Sequence, residues 1–193
     1  MTTFVHEGDL PADALANASS VAVDSETMGL RLGRDPLCVV QLDRATYDAP
    51  NLKRLLADPA VTKIFHYGRF DIAMFWLHLG VVTAPVYCTK IASKLARTYT
   101  DRHGLKDVSR ELLSIEMSKA QQSSDWGALR LSDDQIAYAA SDVLHLHALR
   151  ARLDEMLVRE RRDHLARACF EFLPHRALLD VAGWEDADIF AHT

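Results

Sequence analysis

Asp24 and Glu26 are separated by one residue and follow a short, Val-rich apolar run at 20–23. In extended chain, alternate side chains share a side, so both carboxylates would face one way and could share a divalent cation. Asp71 closes the run His66-Tyr67-Gly68-Arg69-Phe70-Asp71, where an apolar strand pattern gives way to a helical one. Tyr138 precedes Asp142 by four residues, the spacing that puts a phenol and a carboxylate on one helix face. Each feature alone also has an ordinary reading. The first pair fits solvated or turn-capping acids, Asp71 fits a helix cap worth about 1 kcal/mol, and Tyr138 with Asp142 fits a half-buried contact. Together, carboxylates without a Cys or His cluster suit hard ions such as Mg²⁺ or Mn²⁺.

The elements that must position these groups read as mixed α/β. The run at 20–23 predicts a buried strand leading directly into Asp24, and 37–42 predicts a second, after a turn containing Gly29, Gly33 and Pro36. The two make a hairpin in this reading. A short helix over 51–57, a strand over 61–66 and a helix over 70–79 follow. The rest is mainly helical: 89–96, 105–113, a helix from the N-cap Ser132 through Ala140, and a long helix over 142–172 ended by Pro174. Gln135 stands at capping-box spacing from Ser132.

The chain has 193 residues, 49% of them hydrophobic, which suits one domain with a sizeable core. The amino terminus lacks a basic segment followed by an apolar one, and the apolar stretch 72–86 is interrupted by His78, Gly80 and Pro85, so neither a signal peptide nor a membrane span is expected. Three widely spaced cysteines, Cys38, Cys88 and Cys169, fit neither a disulfide framework nor a zinc site. They read as reduced core thiols of a cytoplasmic protein. A net charge of −5 argues against a broad basic surface for tracking long nucleic acid. It leaves room for a small anionic substrate, because bound metal ions can invert the field of an acidic pocket.

Asp-x-Glu on a strand, an Asp about 45 residues on, and Tyr-x-x-x-Asp on a late helix resemble the three exonuclease motifs of the DEDDy subgroup. Val21-Ala22-Val23-Asp24-Ser25-Glu26-Thr27, Phe65-His66-Tyr67-Gly68-Arg69-Phe70-Asp71 and Gln122-Ser123-Ser124-Asp125-Trp126 are similar, in the same order, to segments of the RNase D-like exonuclease family. RNase D proper carries helical RNA-binding modules after its catalytic domain, whereas about fifty residues follow Asp142 here, so such modules are not expected. The short architecture, the run Thr98-Tyr99-Thr100-Asp101-Arg102-His103-Gly104-Leu105-Lys106 and the tail from Trp184 to Thr193 look most like the nano-RNase C group, over almost the whole chain. One stretch departs from the family. Between Leu42 and Ala49 there is room only for a shortened version of its loop and third core strand, or loop residues are missing from the sequence.

The resemblance implies a ribonuclease H-like (DnaQ-like) α/β fold with a mixed central sheet flanked by helices. It implies a single exonuclease domain over 1–193, in which a C-terminal helix and tail, about 143–193, aid assembly into a homo-oligomeric ring, an octamer being the size it suggests. The activity implied is 3′→5′ hydrolysis of short RNA or DNA oligonucleotides, dinucleotides prominent, to nucleoside 5′-monophosphates with two divalent cations, Mg²⁺ or Mn²⁺. In that scheme Asp24 bridges the ions, Glu26 and Asp142 complete the hydrolytic side, Asp71 holds the second ion, and Tyr138 orients the attacking water. Glu26 is also placed to orient water or to meet the terminal 3′-hydroxyl.

Thr27, Leu30, His66, Arg102, His103, Gln122, Ser124, Asp125 and Trp126 are the candidate substrate contacts. Leu30 reads either as a wedge against a base or as a hairpin-packing leucine. Arg102 and His103 suit a 5′-phosphate, or a solvated loop. Trp126 also fits a buried anchor, Asp125 a helix cap, and His66 a structural histidine. Two other function classes compete. A haloacid dehalogenase-type phosphatase also places an Asp after its first strand, but it wants Asp-x-Asp and leaves Tyr138 and Asp142 unexplained. A noncatalytic nucleic-acid-binding domain leaves the repulsion within a complete acidic set without a purpose.

Overall fold

The computed structural model of the chain describes residues 3–39, 48–118 and 124–192. Among them the elements run β1 (Ser20–Ala22), β2 (Glu26–Thr27), β3 (Leu37–Val39), α1 (Pro50–Ala57), β4 (Thr62–Phe65), α2 (Arg69–Leu79), β5 (Val86–Cys88), α3 (Thr89–Ala96), α4 (Leu105–Leu113), α5 (Asp133–Leu144), α6 (Leu146–Arg159) and α7 (Asp163–Leu179). A wide turn, Asp180–Trp184, follows α7, with Gly183 at φ 100°. The architecture is α/β, a central sheet flanked by helices. β1, β4 and β5 form a parallel sheet in the order β1-β4-β5, and α2 makes the crossover from β4 to β5 that parallel pairing demands. β2 and β3 form a separate antiparallel pair.

This pairing corrects the expected hairpin. The partner of β3 is Glu26–Thr27, because residues 20–22 are already bonded to β4 and the Val23 amide continues that ladder to the Ile64 carbonyl. The rest of the expected strand 37–42 and most of the departure after Leu42 lie outside the described residues. β5 carries too few residues to register as a strand in sequence, and Pro85 stands directly before it.

β4 is the middle strand, and Ile64 and Phe65 are fully buried on it, as is Lys63. A lysine in such a place must satisfy its ammonium locally. It does so on the Asp58 and Ala84 carbonyls, at 2.8 and 2.5 Å, while burial pushes its pKa down to about 8. On α6, Leu146, Leu149, Leu153 and Leu157 form a helical stripe against α3 and α4. Each such leucine stabilises the fold by about 1.5–3 kcal/mol.

The predicted long helix is a second correction. It is broken at His145 and again at 160–162, where Arg161 adopts φ 57°, so Asp142 belongs to α5. Pro174 does not end α7, which runs on to Leu179. Proline removes one backbone donor and crowds the preceding turn, but Pro174 is buried in a helix that packs along α2 and β5, and those contacts hold it. The capping box at Ser132 and Gln135 forms as expected. Of the cysteines, Cys38 and Cys88 are buried, whereas Cys169 is exposed and is not a core thiol. No helix among the described residues is long and apolar enough to cross a membrane.

Candidate active site

β1 and β4 run parallel, so their carboxyl ends lie at one edge of the sheet, the edge at which open α/β sheets bind ligands. Asp24 stands two residues beyond the end of β1, and Asp71 six beyond the end of β4. The turn between β4 and α2 is tight. A Cβ on Gly68 would sit 2.6 Å from the Phe65 side chain, so glycine allows α2 to start directly against the strand and seat Asp71 in its first turn. Tyr67, just before it, takes φ 70°, a left-handed conformation that costs a non-glycine residue about 1–2 kcal/mol. α5 brings the remaining acid. One carboxylate oxygen each from Asp24, Glu26 and Asp142 can be chosen so that all three lie within 4.8 Å of one another.

Asp71 is held by the Ser25 hydroxyl, which donates to its Oδ1 at 2.5 Å. Tyr138 donates its hydroxyl to Asp142 one helical turn on. The N-terminus of α5 is tied to the preceding loop, because the Gln135 amide donates to Ser124 Oγ at 3.2 Å and to the Asp125 carbonyl at 3.0 Å. That tie brings the Trp126 ring to 6.0 Å from Tyr138.

The electrostatics are those of an acid cluster lacking counter-ions. Burial first, then Asp71, Asp142 and Glu26, raises the Asp24 carboxyl well above its ordinary value. Glu26 is pushed up to about 8 by burial, Asp142 and Asp71. Burial lifts Asp71 and Asp142 to about 6, with the Ser25 and Tyr138 hydroxyls opposing it. No Lys or Arg pairs with any of the four among the described residues. Oxygen-only ligands whose ionised forms repel one another fit divalent cations of the Mg²⁺ or Mn²⁺ type.

A cavity of about 870 Å³ collects these groups. Asp24, Glu26, Asp71, Tyr138 and Asp142 all line it. So do Thr27, Leu30, His66, Ser124 and Trp126 of the candidate substrate contacts. Leu30 is 77% exposed, which removes the hairpin-packing reading, whereas Trp126 is 2% exposed and forms a buried wall beside Tyr138. His66 is both structural and at the cavity: its Nδ1 lies 2.9 Å from Thr89 Oγ1, and burial followed by Lys90 pushes its pKa down to about 4. It is therefore neutral at physiological pH.

Arg102, His103 and Asp125 do not line the cavity. Arg97, itself fully buried, donates to the Arg102 carbonyl and to Ser93 Oγ, and the same Ser93 lies 2.9 Å from His103 Nδ1. This folds their loop onto α3, where the His103 backbone also meets His66 at the cavity wall. Asp125 is exposed and closes its own turn by accepting from the Gly127 amide. Gln122 lies outside the described residues.

The cavity also contains groups that sequence reasoning missed. Ser25 sits inside the first motif, and a hydroxyl between two acids was a readable signal. Tyr67 lines the wall with Lys90 Nζ 4.0 Å from its ring centroid. Arg69, Asp180, Glu185 and Asp186 also contribute, joining residues more than a hundred positions apart for which no local pattern exists.

Residues 11–158 match the family model described as 3′-5′ exonuclease, and the chain belongs to that family. The RNase D-like resemblance is seen in particular proteins. Brucella melitensis NrnC with bound Mg²⁺ is 48% identical, with 97% of this chain and 98% of that one covered and a TM-score of 0.92. Brucella melitensis NrnC bound to pGG is 50% identical, with 97% of each chain covered and a TM-score of 0.93. Ribonuclease D of Acidiphilium cryptum (strain JF-5) is 40% identical in an alignment 161 residues long that covers 78% of this chain and 41% of that protein. The chain thus spans about two fifths of the length of that curated relative.

Proposed function

We propose that this chain is a divalent-metal-dependent 3′→5′ exonuclease that hydrolyses short oligoribonucleotides, dinucleotides prominent, to nucleoside 5′-monophosphates in the cytoplasm. The observation that carries the proposal is the gathering of Asp24, Glu26 and Asp142 within 4.8 Å, with Asp71 on the same cavity. Asp24 would be shared between two ions, Glu26 and Asp142 would complete one set, and Asp71 would serve the other. When bound, the cations supply Lewis-acid charge at the scissile phosphate and lower the pKa of an attacking water. The similar Brucella structures, one with Mg²⁺ and one with pGG, support a metal ion and a very short substrate at such a site.

Tyr138 contributes as a neutral phenol. Burial and the neighbouring carboxylates push its pKa further above the ordinary range, so it stays protonated, donates to Asp142 and orients water without acting as a base. Tyr138→Phe keeps the ring and loses that orientation. Single-turnover rates should fall about 10- to 100-fold, while the affinity for Mn²⁺, read by calorimetry, stays unchanged; an unchanged rate excludes the role.

Leu30 projects from the stretch between β2 and β3 and is the group best placed to wedge against a base. Trp126, Thr27, Ser124 and His66 supply the surrounding wall. Initial rates on 5′-phosphorylated RNAs of two, five and twenty nucleotides test the length preference. Faster turnover of the dinucleotide is expected, and equal or faster turnover of the twenty-mer overturns it in favour of a general RNase D-like activity. We also propose a homo-oligomer, supported by exposed Trp184, Ile189 and Phe190 at the C-terminal end. Light scattering should give a mass several times that of one chain at micromolar concentration, and a monomer rejects it.

A further inference from the structure

Seven acidic side chains line the active-site cavity, in two sets of different origin. Asp24, Glu26, Asp71 and Asp142 are the candidate metal set. Asp180, Glu185 and Asp186 come from the segment that follows α7. That segment is held by a clamp of two arginines on one buried carboxylate. Arg69 donates from Nε and Nη2 to Asp180, at 2.5 and 2.6 Å, and Arg176 Nη1 donates to the same carboxylate at 2.6 Å. Both guanidinium groups then reach on to the backbone beyond: Arg69 to the Glu185 carbonyl, and Arg176 to the carbonyls of Trp184, Glu185 and Ala187.

The consequence is an unusual charge arrangement for a cavity that takes an anion. Asp180 is compensated by its two arginines and acts as an anchor. Glu185 and Asp186 form no ion pair among the described residues, yet they are fixed at the wall by backbone contacts on either side. Metal ions on the other four acids would offset the phosphate being cleaved, but they would leave Asp186 without a paired cation and Glu185 with only the through-space field of Arg69, already bonded to Asp180. A dinucleotide brings one bridging phosphate to the metal set. A longer strand would bring further phosphates toward the same cavity, and those within the ~10 Å over which exposed charges repel at 0.1 M salt would meet these carboxylates.

We infer that the C-terminal segment, clamped by Arg69 and Arg176 on Asp180, is a charge filter in which Glu185 and Asp186 repel the additional phosphates of longer strands and so select short substrates. The inference rests on the proposed exonuclease function and names what sets its length preference. Glu185 and Asp186 are specificity-determining residues here; neither is assigned to the metal set. The repulsion is electrostatic, so salt should weaken it, whereas a purely steric wall would not respond.

The test uses the full chain with two- and twenty-nucleotide 5′-labelled RNAs in Mn²⁺, comparing wild type, E185Q/D186N and R176M at roughly 0.05 M and 0.5 M salt. The double variant should raise the twenty-mer to dinucleotide ratio of kcat/KM about 10-fold at low salt and much less at high salt. R176M, which removes three of the four backbone contacts holding the segment, should shift the ratio in the same direction. It keeps the question answerable if the double variant misfolds. A wild type that prefers the dinucleotide, with ratios unmoved in both variants, overturns the filter and leaves the short-substrate reading intact. A wild type without length preference overturns that reading and the filter with it.

Discussion

Asp24→Asn and Asp142→Asn should each lower Mg²⁺- or Mn²⁺-supported hydrolysis by roughly three orders of magnitude and leave the protein folded. Each change removes a charged ligand at almost constant volume, so loss of activity should not follow from loss of packing. The metal-free fold should even gain. Asp24 is raised well above its ordinary value by burial and by three neighbouring carboxylates, and Asn removes one member of that repulsion. Thermal denaturation in EDTA at pH 8 should therefore show a Tm equal to or above that of the wild type. A folded Asp24→Asn protein with wild-type turnover sinks the assignment, and a large fall in Tm would mean that the aspartate has a structural role.

The second large effect is the pH dependence of metal stabilisation. Glu26 titrates at about 8 and Asp71 and Asp142 at about 6 in the folded chain, against ordinary values near 4. Between pH 4 and 8 the folded state thus holds protons that the unfolded state has released, so these groups lower stability as pH rises through that window. His66 acts in the opposite sense. Its folded value of about 4 lies below the ordinary 6.5, so its contribution is lost as pH falls from 6.5 toward 4. The metal-dependent part separates the two, because cations compete with protons only at the carboxylates. Saturating Mn²⁺ should raise Tm by about 5–10 °C at pH 8 and by less than about 2 °C at pH 5. An equal rise at both values contradicts metal binding at these acids, and Asp24→Asn should shrink the pH 8 rise.

Much of this site was readable because its groups sit at element ends with strong local periodicity. A Val-rich strand running into Asp24, the strand-to-helix change before Asp71 and the four-residue spacing of Tyr138 and Asp142 are short-range signals. The structure brings all three to one cavity. α3 and α4 span the predicted residues because Gly104 and the apolar spacing mark their limits within a few positions. The long helical pattern failed for the complementary reason. Apolar residues recur at helical spacing across His145 and Arg161, and only tertiary packing decides that the backbone turns there. Arg102 and His103 were legible as a polar loop, but the buried Arg97 that folds that loop onto α3 was not. The Arg69–Asp180 pair spans 111 residues and carries no pattern at all.

The central claim is metal-dependent cleavage from the 3′ end, and the most direct test is product analysis of one 5′-labelled seven-nucleotide RNA incubated with the full chain, in Mn²⁺ and in EDTA. The account predicts a labelled ladder shortening one nucleotide at a time, with unlabelled nucleoside 5′-monophosphates released, in Mn²⁺ only. An intact labelled strand in Mn²⁺, or release of the 5′ label as inorganic phosphate from an otherwise intact strand, would contradict it.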